Sequence, residues 1–312
     1  MTLAEVFTAL TRALIYDEDK RLLTYELDQC VPRQRWDLPD SLPSWVPDWR
    51  AIGKRGVEVY PINYFGTFNS TDGIPTPPRP RNCSEDDARG ILRCPGCCVD
   101  FVTDVMQPPQ WKKWDDWTAS EIVDVEAWLS SIRDFAKLGP ESSPGEDYVW
   151  RTIMLDRYDG ITRPKRFEAN LTDDERASII RKIMRRVPIV VESLTEAQRD
   201  YICNGPLSPS KFEIRDQIIE LIVREWPRSL GSVARGRTLF KTNKGMFGLG
   251  HTAIQPEDIV TLLWGMRSPI ILRPRNDEAG GGFTFVGDAY VDGIMYGEFL
   301  ETAPAHKDFE IY

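Results

Sequence analysis

The chain has 312 residues, a net charge of −9 and 41% hydrophobic residues, among them ten tryptophans. This length can bury one large core or two ordinary ones. The acidic balance disfavours nucleic-acid binding, which needs clustered Lys and Arg, and no run approaches the roughly 18 to 20 apolar residues of a membrane span.

The first thirty residues predict an amphipathic helix and its exit. Apolar residues recur there at helical spacing: Leu3, Val6, Phe7, Leu10 and Leu14. A secretory signal would need a basic start and an unbroken apolar run, which this segment lacks. We therefore expect a cytoplasmic protein.

A proline-interrupted segment follows, Leu42-Pro43-Ser44-Trp45-Val46-Pro47-Asp48-Trp49. Proline fixes φ and removes hydrogen-bond donors, so the segment should be extended along the surface of a core. Its tryptophans are too large to leave in water. We expect Trp45 and Trp49 to be largely buried.

The cysteine cluster Cys94-Pro95-Gly96-Cys97-Cys98 has apolar flanks, which predicts two short strands around a Pro-Gly turn. A zinc site needs four ligands, and no second CxxC is present. His251 is far downstream, and we place His306 in a frayed tail. We predict buried or turn cysteines, with no metal and no cofactor; a metal site and a redox disulfide are the alternatives.

The middle of the chain shows helix signals. Capping boxes at Thr118–Glu121 and Thr172–Glu175 precede apolar residues at helical period, and a third helix is predicted over 212–226.

From Gly236 onward, short β-type runs alternate with glycines. We predict an α+β fold, with a helical middle layer packed on a C-terminal antiparallel sheet or small β-barrel built mainly from residues 236–291. Residues 1–235 would be the mainly helical region, with its proline-rich segment and short strands. Residues 236–312 would be a glycine-rich β region packed with it as one unit. Gly245, Gly248 and Gly250 should turn the chain at positive φ, and their spacing matches neither a phosphate loop nor a dinucleotide site.

Several phrases resemble the region that follows the effector domain in fungal heterokaryon-incompatibility (HET) proteins. They are Leu42–Trp49, Trp150-Arg151-Thr152, Gly236–Gly250, Pro256–Gly265 and Pro269–Glu298. The resemblance covers nearly the whole chain. It implies that the effector domain, to which the cell-death activity belongs, is missing.

Two functions remain open. One is a cofactor-free cyclase of fungal secondary metabolism, of Diels–Alderase type, that folds an apolar polyene or terpenoid substrate. Trp45, Trp49 and Trp264 would wall its pocket, and a donor among His251, Arg273 and Tyr290 would polarise a substrate carbonyl. The alternative is a non-catalytic incompatibility or regulatory module that binds another HET-family protein. In that case the tryptophans simply fill the core, and His251 is satisfied or exposed.

Overall fold

The computed structural model describes residues 2–16, 42–47, 49, 62, 68–74, 90–106, 131–132, 134–137, 147–155, 157–158, 165–166, 236–275 and 281–312. These fall into two compact units, one made of residues 1–105 with 236–312 and the other of residues 106–235. In the described part, no helix is long and apolar enough to cross a bilayer.

Among the described residues, the first unit contains the α-helix α1, a 3₁₀ helix and most of the strands. Their bounds are α1 (Leu3–Tyr16), β1 (Leu92–Val105), β4 (Arg237–Thr242), β5 (Phe247–His251), β6 (Ile259–Leu263), β7 (Ile270–Pro274), β8 (Phe283–Val291), the 3₁₀ helix (Glu298–Thr302) and β9 (His306–Ile311).

The second unit contributes a smaller set of described elements. They are α2 (Asp147–Met154), β2 (Arg157–Tyr158) and β3 (Lys165–Arg166). Strands β2 and β3 pair antiparallel, with Arg157 opposite Arg166.

The strands of the first unit form a closed barrel. The seven-stranded sheet has the order β4-β5-β8-β7-β6-β1-β9, and an additional pairing of β4 with β1 closes the ring. All pairings in the ring are antiparallel. Strand β9 lies outside the ring, antiparallel to β1, and touches β8 in parallel at Phe283 and Ile311.

Strand β1 is continuous where the sequence predicted a turn. Pro95 and Gly96 lie inside the strand, and register shifts after Cys98 and after Val102 bend it from β6 toward β4. The Pro95 carbonyl accepts a hydrogen bond from the Trp264 amide at 2.9 Å, just beyond the end of β6. Proline has no amide hydrogen, so Pro95 cannot donate a backbone hydrogen bond. The missing bond falls just beyond the end of β6, where a sheet tolerates its loss.

Side chains from β1, β4, β6, β7 and β8 fill the barrel interior. They include Val102, Phe240, Val260, Leu262, Ile271, Ala289 and Val291, all nearly inaccessible to solvent. Strand β5 contributes glycines to this side of the sheet, because a Cβ on Gly248 would overlap the Phe240 ring. Gly248 and Gly250 therefore make room for side chains. Of the three predicted turn glycines only Gly245 has positive φ, at 82°.

A second apolar cluster covers one outer face of the sheet. Phe7 and Ile15 of α1, together with Leu42, Trp45 and Val46, pack on residues of β1, β7, β8 and β9. Trp45 is fully buried and donates from Nε1 to the Gly90 carbonyl at 2.8 Å. Trp49 is partly buried and donates from Nε1 to Thr11 Oγ1 at 2.9 Å. The predicted burial is confirmed for Trp45 and holds in part for Trp49.

The predicted α+β class is wrong, because the described residues are mainly β. Two strands extend the sheet beyond the residues 236–291 from which it was predicted. Strand β1 comes from residues before 236, and β9, with His306 at its start, replaces the expected frayed tail. The helices predicted around residues 118–135, 172–183 and 212–226 lie outside the described residues, apart from a few positions near Ile132 and Phe135. No helical middle layer is present in the described part of the chain.

Candidate functional site

Arg273, a predicted donor, lies at the end of β7 and holds the turn between β5 and β6. Its Nε donates to Asp258 Oδ1 at 2.8 Å, and its Nη2 donates to Asp258 Oδ2 at 3.0 Å and to the Ala253 carbonyl at 2.7 Å. Asp258 is buried and also accepts from the Gln255 amide. This bidentate ion pair holds the Arg273 guanidinium against the Asp258 carboxylate.

His251 ends β5 and contacts the same turn. Its Nδ1 accepts a hydrogen bond from the Ala253 amide at 3.1 Å, and Arg237 is its register partner on β4. The pKa of His251 is lowered to about 4, chiefly by burial and secondly by the Arg237 charge. The imidazole is therefore neutral near pH 7, and the structure brings His251 and Arg273 together at Ala253.

Tyr290 is buried on β8, next to Leu249 of β5. Its hydroxyl donates to Asp292 at 3.2 Å, and its ring meets Phe68 edge-on with centroids 5.7 Å apart. Tyr290 thus contacts Asp292 and Phe68, whereas His251 and Arg273 both contact Ala253. Of the three predicted donors, His251 and Arg273 therefore meet at Ala253, and Tyr290 makes different contacts.

The predicted tryptophan walls fall in two different clusters. Trp45 and Trp49 belong to the outer cluster beneath α1, whereas Trp264 belongs to the interior cluster and lies 5.3 Å from the His306 ring. Trp45 is fully buried, and Trp264 is 8% exposed.

The cysteines of the CxxC motif lie on opposite faces of β1. Cys94 joins the outer cluster and Cys97 the interior one, which confirms the predicted burial of both. Burial is also the main reason that the pKa of Cys94 is raised to about 12 and that of Cys97 to about 11. Two thiols that point in opposite directions cannot ligate one ion. Among the described residues, no group of three or more His, Cys, Asp or Glu could hold a metal.

Sequence reasoning missed two buried charged residues, one on β4 and one on β8. Arg237 and Asp288 are each almost inaccessible to solvent. Asp288 also accepts a hydrogen bond from the Ile62 amide, so it anchors a residue far away in sequence. Burial raises the pKa of Asp288, while Arg237 and the Ile62 amide oppose that rise. Burial likewise lowers the pKa of Arg237, and Asp288 opposes it.

The lowered pKa of His251 predicts a loss of stability in acid. The unfolded chain takes up a proton near pH 6.5, but the folded chain resists protonation until about pH 4, so stability falls across this window. After allowance for solvent screening, the loss should be roughly 2 kcal/mol. His251→Gln keeps an acceptor for Ala253 without titrating.

Urea unfolding of the wild-type chain and of His251→Gln between pH 7 and pH 4 measures this effect. The stability of the wild type relative to the variant should decrease by roughly 2 kcal/mol over that range. A difference that stays constant with pH would show that His251 titrates normally.

Comparison with known proteins then decides the family. The family model of the Het-6 beta-barrel domain matches residues 89–311, which span the whole barrel from β1 to the end of β9. The chain belongs to the Het-6 β-barrel family. The resemblance to heterokaryon-incompatibility proteins is thereby confirmed.

One relative of this Het-6 barrel protein is heterokaryon incompatibility protein 6, OR allele, of Neurospora crassa. The two are 24% identical over 331 residues, which is 99% of this chain and 46% of the relative. The chain thus spans less than half the length of that protein. No solved structure matches this Het-6 barrel protein significantly.

A further feature of the Het-6 barrel protein lies on α1. The helix buries Phe7, Thr11, Arg12 and Ile15 against the barrel, and Arg12 donates from Nη2 to the Ile91 carbonyl at 3.1 Å. Its other side leaves apolar residues in solvent: Leu3, Val6 and Leu10. The apolar positions at helical spacing therefore form two faces of α1, and only one of them belongs to the core.

Proposed function

We propose that this chain is a non-catalytic recognition module of fungal heterokaryon incompatibility, and that it binds another HET-family protein. Membership of the Het-6 barrel family and the similarity to the Neurospora crassa incompatibility protein support this role. Proteins of shared fold can differ in function, so the residues themselves must carry the argument.

The filled barrel interior is the observation that carries the proposal. A cyclase must enclose a flexible substrate, which requires a cavity of several hundred Å³. Here Phe240 closes over Gly248, and Ile254 closes over Gly250, so the space beside β5 is already occupied by the protein. A barrel packed in this way serves as a rigid scaffold that presents a binding surface.

The state of the predicted donors points in the same direction. Arg273 is paired to buried Asp258, and His251 accepts from Ala253. Tyr290 is buried and donates to Asp292. The Tyr290 hydroxyl has a single hydrogen, so its bond to Asp292 would have to break before it could polarise a substrate carbonyl. The cyclase interpretation and its apolar substrate have no supporting observation among the described residues.

A binding experiment tests the proposal. Sedimentation velocity of the purified chain, alone and mixed with the purified full-length Neurospora crassa relative, should reveal a faster-sedimenting complex in the mixture only. Absence of a complex at micromolar concentrations of both proteins would count against the recognition role.

A parallel assay addresses catalysis. The chain should leave the cyclisation rate of a synthetic linear polyene, carrying a diene and an activated alkene, unchanged relative to buffer. Acceleration of that reaction, or a changed ratio of stereoisomers, would instead favour the cyclase.

A further inference from the structure

The exposed side of α1 is a continuous apolar stripe. Leu3 is 46% exposed, Val6 39% and Leu10 43%, and Ala9 and Ala13 are exposed beside them. At about 100° per residue these five positions lie within an arc of about 120°. Single exposed leucines are ordinary on protein surfaces, but an uninterrupted stripe is not.

The other side of α1 fixes the helix to the barrel. Phe7 and Ile15 lie in the outer cluster, and the Arg12 guanidinium stacks 5.3 Å from the centre of the Trp45 ring. Trp49 adds a hydrogen bond to Thr11. The stripe is therefore presented on a helix that is already folded and held, which lowers the entropic cost of binding.

The composition of α1 argues against a lipid surface as the occupant. Helices that bind membranes carry Lys and Arg along the polar border of their apolar face. The only basic residue in α1 is Arg12, which is buried, and the exposed charged residue is Glu5. An acidic border would be repelled by anionic headgroups.

The size of the stripe argues against a dimer of this chain that forms through α1 alone. A helix of 14 residues is about 21 Å long and about 10 Å wide, so the stripe offers a footprint of roughly 200 Å². A stable interface buries about 800 Å² on each partner. Two chains that met through α1 alone would fall well short, so the stripe is the anchor of a larger contact.

We infer that the α1 stripe docks into an apolar groove of a full-length HET-family protein, an inference that rests on the proposed function. Anchors at positions i, i+3 and i+7, here Leu3, Val6 and Leu10, are the pattern by which a helix is read in a groove. The Neurospora crassa relative is more than twice as long as the segment matched by this chain, so it has surface to supply the rest of the contact.

The test compares three forms of the full chain: wild type, Val6→Glu/Leu10→Glu and Phe101→Glu. Phe101 is 47% exposed and lies on β1, and it serves as the matched control because it has the same apolar exposure elsewhere. Glutamate favours helices more than valine, so the double variant should fold normally. Thermal unfolding of all three forms checks this.

Binding of the Neurospora crassa relative should weaken at least tenfold for the double variant and less than twofold for Phe101→Glu. Val6→Leu/Leu10→Met, which keeps the stripe apolar, should bind as the wild type does. Equal affinity of the double variant and the wild type would overturn the assignment to α1 while leaving the proposed function intact. Failure of the wild type to bind would overturn both.

Two further measurements separate the other occupants. Sedimentation of the wild type alone should give a monomer, and flotation with vesicles of phosphatidylcholine and phosphatidylserine should leave the chain unbound. Self-association or vesicle binding that the double variant abolishes would overturn the inference in favour of that occupant.

Discussion

Gly96→Ala should destabilise the barrel by about 3 to 5 kcal/mol, enough to unfold a domain of ordinary stability. Gly96 lies in β1 between β6 and β9, opposite Leu263 on one side and Lys307 on the other. A Cβ there would overlap the Leu262 carbonyl oxygen and lie 3.0 Å from Leu263 Cα. Both obstacles are backbone atoms, so no change of side-chain rotamer can relieve the overlap.

Gly245→Ala is the matched control for that substitution. A Cβ at Gly245 meets nothing within 4 Å, but its φ of 82° strains any other residue, at a cost of about 1 to 2 kcal/mol. Urea titration of both variants should therefore rank Gly96→Ala as much the more damaging. Equal or reversed effects would show that β1 and β6 are not packed this closely.

Asp288→Ala should cost about 3 to 5 kcal/mol in all, because it removes a negative charge that acts favourably on the buried Arg237 guanidinium. The same change removes the acceptor of the Ile62 amide. A buried donor without an acceptor costs about 1 to 3 kcal/mol, which is part of that total.

The double variant Arg237→Met/Asp288→Asn distinguishes a charge effect from a packing effect. It removes both charges, and the asparagine still offers an oxygen to Ile62. We expect it to be more stable than Asp288→Ala by at least about 2 kcal/mol in chemical denaturation. If both variants lose the same stability, the two charges are not coupled, and their interaction does not stabilise the barrel.

Local patterns predicted several elements correctly. The apolar spacing in residues 3–14 marks α1, and the proline-rich segment places Trp45 in the core because a large indole cannot remain in water. The short β-type runs after Gly236 correspond to strands β4, β6, β7 and β8, whereas β5 was taken for a glycine turn. These signals are local, so a single stretch of sequence carries them.

The errors come from long-range contacts. Pro95 and Gly96 resemble a turn, yet Gly96 is required because β6 runs too close for a side chain, and only the tertiary pairing reveals this. Gly248 was likewise assigned to a turn from its local pattern. It is glycine because the Phe240 ring occupies the space where a side chain would lie. Strand β9 has exposed charged residues at its start, which hid its pairing with β1.

The candidate site was harder still to predict. The sequence suggested His251 and Arg273 as candidate donors, but their meeting at Ala253 depends on the turn between β5 and β6. Asp288 stands within a largely apolar run, Phe285 to Val291, and this was the available signal. A polar residue in such a run is either exposed or paired, and sequence alone does not say which.

The most direct test of the central claim is calorimetric titration of the chain with the full-length Neurospora crassa relative at several temperatures. Recognition through an apolar surface predicts saturable binding with one chain per partner and a negative heat-capacity change, since apolar burial produces that sign. Absence of saturable heat at every temperature would contradict the recognition role. Saturable binding without a negative heat-capacity change would contradict apolar docking.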